Sequence, residues 1–514
     1  MPNERVSLGL ADPRPDRLQK KRRQDLVVVS GVAAAFAIFH ILTSGCYGFH
    51  RDELQFLSDA RHLDWGFVAY PPFTPFIERI GFSLFGLSLV GLRLFSVIAQ
   101  AVVILVAGVM ARDLGGGRLA QVAASVSVGL SGLPLFEATE FQYTSFSFLW
   151  WVLVCWFTIR LLTTEDPRWW IGIGSAIGLG LMTKYSLVFF VAGLLVGLVL
   201  SPARRYFGNR WFWAGLAVTL VMVSPNLLWL IRHDFVSYHF LQSIHARDVR
   251  EGRANGFWAM QLLVDSNPFA IPICLLGLIA FFRESRYRML AWMFVVPELV
   301  FWVNKGRFYY VAEAYPVLLS MGVVVAERWL ADRRVGLRRS LEAIYFTGVF
   351  ATGALFIAVL VPLAPSGPLR DFALKNNGDL REEIGWSDLV GTVARVRDSL
   401  PASQQSNYGI LVGNYGEAGA IENLGAAYHL PPPISLTNSF YLRTYPTTLP
   451  STLIILGWSR QDVDSNFTGC HLAGHLTNAQ HVKNEESNYH PDLFVCGPPR
   501  QGWQEFWRTH QRYG

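Results

Sequence analysis

The sequence predicts an all-α polytopic membrane domain of about eleven transmembrane helices, followed by a small α/β extracytoplasmic domain. Three observations predict it. Apolar residues make up 52% of the 514 positions and charged residues only 16%, with mean hydropathy +0.29, too apolar a balance for a soluble chain of this length. The apolar residues fall in blocks near the ~20 residues that span a bilayer. After Leu363 the blocks stop, and Pro, Gly, Asn and Ser become frequent.

The chain divides into a basic cytoplasmic tail at 1–25, a membrane domain at 26–363 with an outer loop at 46–90, and a C-terminal domain at 364–514. Leu26 to Thr43 is longer than a signal-peptide h-region and no A-x-A-like site precedes the polar loop, so the first helix is expected to stay in the membrane. Further spans are expected at 91–110, 119–136, 145–163, 211–230, 258–282, 288–303, 308–326 and 340–362. The run 169–200 is too long for one helix and is interrupted by Lys184 and Tyr185, so two short spans are expected there.

Basic residues concentrate in alternate connections: the tail (Arg14, Arg17, Lys20 to Arg23), Arg112 and Arg118, Arg160 and Arg168, Arg204 to Arg210, Arg283 to Arg288, and Arg333 to Arg339. The positive-inside tendency makes these cytoplasmic. The loop after Thr43, the turn 137–144, Lys184, the loop 232–257, the segment 304–307 and everything after Leu363 are then outside.

In the C-terminal segment, Tyr408 to Gly413, Ser451 to Gly457 and Asp492 to Gly497 read as buried strands, and Trp386 to Leu400 has helical spacing. "NYGEAGAI" after the first strand reads as a helix start; it lacks the G-x-G-x-x-G spacing of a dinucleotide site. Cys470 and Cys496 both lie here, where an oxidising compartment permits a bridge that spacing alone does not establish. The sequence holds no C-x-x-C pair and no H-E-x-x-H motif, so neither a metal nor another cofactor is expected.

The outer loop is dense in charge where a membrane protein has least reason for it. Leu54, Leu57 and Ala60 recur at near-helical spacing, which predicts a short helix lying on the outer membrane surface with Asp52 and Glu53 in its first turn. Acids favour a first turn for electrostatic reasons alone. Here they stand among aromatic residues and Pro71-Pro72, with Arg51 beside them and Lys184, Lys305 and Arg307 on the same side of the membrane.

"YGFHRDELQFL", "RHLDWGFVAYPPFTPF", "GLRLFS", "GLGLMTKYS", "SPNLLW", "KGRFYYVAEAYP" and "NYGEAGAI", taken together and in order, resemble the bacterial glycosyltransferase family 39 proteins, relatives of protein O-mannosyltransferases and of the lipid A aminoarabinose transferase. The resemblance runs from about Tyr47 to Tyr441. It implies a GT-C architecture in a bacterial inner membrane, and transfer of a sugar from a polyprenyl-phosphate donor to an extracytoplasmic acceptor. No nucleic-acid partner is expected. The Asp-Glu pair of the family matches Asp52 and Glu53, with Asp52 as the catalytic carboxylate.

Such a reaction needs a base to take the acceptor's proton and cations to meet the charge growing on a lipid phosphate. Asp52 is the expected base. Lys305 and Arg307 are the first candidates for the phosphate, then Lys184 and Arg51, with Tyr309 and Tyr310 as stacking residues. Their ordinary readings are snorkelling cations and an interfacial aromatic belt. Two departures stand out: the aminoarabinose transferase branch has a Lys before the Pro-Pro where this chain has Tyr70, and for the acid that members commonly carry near the outer end of the fourth span this chain offers Glu137 and Glu140, with Ser147 within the helix. A transporter of lipid-linked sugar is the competing class; it predicts charges at mid-membrane and related halves, and neither pattern is present in the sequence.

Overall fold

The computed structural model describes residues 15–514, with side chains from residue 24 onward. The basic side chains of the tail, Arg14 to Arg23, lie outside the described residues.

Every segment expected to span is helical. Pro15–Thr43, Leu89–Asp113, Tyr143–Thr164, Arg210–Arg232, Phe308–Ala331 and Val335–Leu360 supply six helices long and apolar enough to cross a membrane, or up to seven if the bent pair Leu187–Val199 and Pro202–Gly208 is one span. This is a multi-pass membrane protein. The other expected spans are shorter or broken. The run 119–136 divides into Arg118–Gly129 and Gly132–Glu137, and 258–282 holds Phe257–Met260, a π-turn at Gln261–Asp265, and Ile271–Arg283. The run 169–200 is two helices, Trp169–Leu181 and Leu187–Val199, with Lys184 at the break.

Helix pairs close through small residues, as expected where lipid supplies no hydrophobic drive between helices. A side chain at Gly277 or Gly322 would run into the backbone of the facing helix, which is why Ile271–Arg283 and Tyr315–Ala331 pack so tightly.

The C-terminal segment forms a five-stranded sheet in the order β2-β1-β3-β5-β4, with β1 (Tyr408–Val412), β2 (Ile434–Ser435), β3 (Thr452–Leu456), β4 (His471–His475) and β5 (Asp492–Cys496). β1 pairs in parallel with both β2 and β3, while β5 runs antiparallel to β3 and β4. Three strands and the Trp386–Ser399 helix match the sequence expectation; β2 is too short and β4 too exposed to carry a pattern. Cys470 and Cys496 form a disulfide.

The outer-loop helix Arg51–Arg61 is present, but it does not lie flat with one face free. Glu53 through Ala60 are all buried, between the Phe73–Phe85 helix of the same loop and the Tyr415–Leu424 helix of the C-terminal segment. Leu54 belongs to the hydrophobic core of that segment, together with Val412, Ala418 and Ile421. The polar positions between its apolar ones are paired: Gln55 with Tyr70 and Asn438, and Asp59 with Tyr70 and Arg443.

Candidate active site

His50 caps the outer-loop helix, and its backbone N–H donates to Glu53 Oε2 at 2.8 Å, closing a capping box. This fixes the first turn and separates two adjacent acids. Glu53 turns inward, where Arg93, fully buried, donates through Nε and Nη2 to its two oxygens at 2.8 Å each. The same guanidinium reaches Glu383 at 3.2 Å and the carbonyls of Ser44 and Gly48, and the Phe141 N–H donates to Glu53 at 2.7 Å. Through Arg93 and Phe141, Glu53 ties the loop to the Leu89–Asp113 helix, to the turn before the Tyr143–Thr164 helix and to the C-terminal segment. It is sealed from solvent.

Asp52 points the other way and keeps 30% of its side-chain surface exposed. Gln142 donates to Oδ2 at 2.9 Å and the Tyr415 hydroxyl to Oδ1 at 2.7 Å. Arg51 lies 3.9 Å from Oδ1 and is held by Glu485. Burial pushes the Asp52 carboxyl up, but a charged His50, the Arg51 guanidinium and the two hydrogen bonds outweigh it and leave Asp52 below the ordinary aspartate value. His50 is itself held below the ordinary histidine value, chiefly by burial.

Glu140 stands behind Gln142, whose amide also donates to it at 3.3 Å, and 3.5 Å from His50. Its carboxyl is pushed well above the ordinary range by burial and then by Glu383, Asp379 and Glu53. Two nearby carboxyls with opposed shifts favour one ionised and one protonated group.

The expected cations separate. Lys184 is buried, 4.9 Å from the Tyr310 ring, 5.7 Å from the Tyr143 ring and 3.8 Å from Glu313. Arg307 donates in a fork to Asp248, at 2.6 and 2.7 Å, and through Nη1 to the Tyr309 hydroxyl at 2.9 Å. Tyr309 and Tyr310 pack edge to face with centroids 4.9 Å apart. Tyr143 follows Gln142 in the chain, so the turn that gives Asp52 a donor also gives Lys184 an aromatic neighbour. Lys305 is elsewhere, exposed, on a groove of about 610 Å³ lined by Phe257, Trp258, Trp302 and Val303.

Both departures have structural counterparts. Tyr70 donates to Asp59, and Ser147 donates at 2.8 Å to Glu313, which brings a carboxylate to the fourth span from the segment after Arg307. Sequence reading singled out neither Glu313, Asp248, Gln142 nor Tyr415. Glu313 and Tyr415 lie inside quoted motifs; Asp248 and Gln142 carry no local signal.

The sequence profile of the family described as dolichyl-phosphate-mannose-protein mannosyltransferase matches residues 69–229. The chain is 28% identical over 366 residues to an undecaprenyl phosphate-alpha-4-amino-4-deoxy-L-arabinose arabinosyl transferase of Pseudomonas fluorescens, covering 64% of this chain and 62% of that protein. It is 26% identical to the lipid A galacturonosyltransferase RgtD of Rhizobium johnstonii over 43% of this chain and 46% of the relative. These matches therefore span less than two thirds of either relative. The crystal structure of ArnT from Cupriavidus metallidurans in the apo state aligns with TM-score 0.52 at 12% identity, covering 91% of this chain and 97% of that one, a likeness of fold. The resemblance read from the motifs is borne out.

Proposed function

We propose that the protein is a membrane glycosyltransferase that moves a sugar from a polyprenyl-phosphate donor to an extracytoplasmic acceptor, with Asp52 as general base and inversion at the anomeric carbon. The observation that carries the reading is that one short stretch serves both groups: Gln142 donates to a partly exposed Asp52, and the next residue, Tyr143, lies against the buried Lys184. A hydroxyl or amine becomes a competent nucleophile as Asp52 takes its proton. On the opposite side of the anomeric carbon, Lys184 meets the charge developing on the leaving phosphate, in a site where a low dielectric strengthens the contact, while Arg307, held by Asp248 and Tyr309, adds its positive charge behind the tyrosines. Displacement opposite the phosphate inverts the centre.

Lys305 and the Trp258–Trp302 groove suit the prenyl chain and its approach. Tyr309 and Tyr310 hold Arg307 and Lys184 and offer faces to the sugar. Glu140 supports Asp52 through Gln142, and Glu53 anchors the loop. The names of the relatives favour an undecaprenyl-phosphate donor and make lipid A the first acceptor to test; other envelope glycans, teichoic-type polymers and secreted proteins stay within the same chemistry. We take the chain to cross the bilayer eleven times from a cytoplasmic amino end, a reading in which the sheet belongs to a domain at 364–514 on the outer face of a bacterial inner membrane.

The test uses purified protein, donor on the outer side, and acceptor. Polyprenyl phosphate should be released only with acceptor present, and Asp52→Asn should lower turnover by about 10²- to 10⁴-fold with donor binding retained. Movement of unchanged donor across the bilayer, with no phosphate lipid released and no dependence on Asp52, would establish a transporter instead.

A further inference from the structure

We propose that Tyr415 is a positioning residue for the transfer reaction, and that the segment Asn414–Gly419 is the element that carries its hydroxyl to Asp52. The proposal rests on the reading of Asp52 as general base. It gives the C-terminal segment a part in the chemical step.

The motif Asn414-Tyr415-Gly416-Glu417-Ala418-Gly419 follows β1 directly, and each of its polar or small positions has a mechanical reason. The Asn414 side chain accepts from the Glu417 N–H at 2.9 Å, while Glu417 Oε2 accepts from the N–H groups of Gly413 at 2.8 Å and Asn414 at 3.2 Å. That reciprocal cap fixes where the Tyr415–Leu424 helix begins. Tyr415 is its first residue. A Cβ on Gly416 would lie 2.9 Å from Cβ of Arg51, and one on Gly419 would lie 2.6 Å from the Leu54 carbonyl oxygen. The two glycines let the start of this helix close on the first turn of the outer-loop helix. The phenol then meets Asp52 Oδ1 at 2.7 Å.

A general base must present its reactive lone pair in a fixed direction, and a carboxylate in a helix's first turn is free to rotate unless something holds it. Two donors on different oxygens set its plane, Gln142 on Oδ2 and Tyr415 on Oδ1. The groups that face Asp52 are His50 and Arg51 from its own segment, Gln142 with Glu140 behind it and Tyr143 beside it, and Tyr415 from the C-terminal segment, with Glu485 and Glu382 reaching it only through Arg51. Tyr415 is thus the one of these groups that both touches the carboxylate and belongs to the sheet-bearing part of the chain.

The experiment compares full-length wild type, Tyr415→Phe and a protein with 3-fluorotyrosine at position 415, by steady-state kinetics from acid to neutral pH. Removing a donor from an ionised acceptor raises the acceptor's pKa, and the base must be ionised to act, so the acid limb of the Tyr415→Phe profile should move up by about one pH unit or less. Its kcat should fall about 10-fold with the KM for donor unchanged. The fluorinated phenol is a stronger donor of the same shape and should move the limb down. Wild-type kcat with an unmoved limb in Tyr415→Phe overturns the proposal, and so does a loss of kcat with both limbs unmoved, which is the signature of a packing role. Asp52→Asn is measured in parallel: if it keeps turnover, the general-base reading has failed, whereas an inactive Asp52→Asn beside a wild-type-like Tyr415→Phe removes only Tyr415.

Discussion

The surroundings of Asp52 and of Lys184 are built on different principles. Around Asp52, each neighbour comes from a different part of the chain: Gln142 from the turn before the Tyr143–Thr164 helix, Tyr415 from the helix after β1, and Glu485 holding Arg51 from beyond β4. Around Lys184 the partners are rings and acids of the membrane part, Tyr143, Tyr310 and Glu313. The difference teaches how the reaction's two demands are met. A base needs direction, which several fixed hydrogen bonds supply. A phosphate needs a cation that is desolvated yet still free to donate, which aromatic faces supply without using up its protons.

Breaking the scaffold beneath Asp52 should have the largest effect on the fold. Arg93→Met leaves Glu53 and Glu383 buried without their shared cation, a loss expected to cost about 3 to 5 kcal/mol. Thermal unfolding should show an early loss of the C-terminal segment, read as protease cleavage after Leu363 in otherwise intact protein. Cleavage and melting like wild type would mean that Glu53 does not anchor the loop.

On the cationic side, Lys184→Met should weaken donor binding by about 1.5 to 3 kcal/mol if a charge-assisted phosphate contact is lost. Lys305→Ala, at an exposed position, should cost at most about 1 kcal/mol. Pairing Lys184→Met with Glu313→Gln separates phosphate binding from the Lys184–Glu313 contact: if the second change restores donor affinity, Lys184 serves Glu313 and not the donor. Equal losses for Lys184 and Lys305 would erase the distinction between a buried phosphate site and a groove.

The smallest effect expected is on stability against pH. Burial pushes Glu382, Glu383 and Glu417 up to about 7 and Glu486 to about 8. A carboxyl raised in the folded state binds its proton more tightly there than in the unfolded chain, so its contribution is fully present below the ordinary glutamate value and is lost as pH rises through the folded one. Asp52, shifted the other way, acts only below the ordinary aspartate range. Tm should therefore fall from about pH 4.5 to about pH 8, and Glu486→Gln should flatten the slope. A Tm that rises over that interval would show that these groups do not govern the docking of the C-terminal segment.

Composition and the spacing of apolar blocks sufficed for a multi-pass helical protein with a sheet at its end, because a span or a buried strand is dictated by its own residues through burial of its apolar surface. The break at Lys184, the strands β1, β3 and β5, and the short helix after Thr43 were legible for the same reason. Span lengths were less so: Gly, Pro and Ser breaks in 119–136 and 258–282 outweigh a favourable average hydropathy.

What only the tertiary structure decided is the division of labour among neighbours. Asp52 and Glu53 are adjacent and chemically alike, and nothing local says that one will stay partly exposed and the other meet a buried guanidinium 40 positions away. Arg307 looked like a free cation until Asp248 was brought to it by the Val236–Arg250 helix. Tyr415 stands 363 positions from the carboxylate it touches. Secondary structure follows from local pattern, but hydrogen bonds and ion pairs are set by which elements pack together, and that is a property of the folded whole.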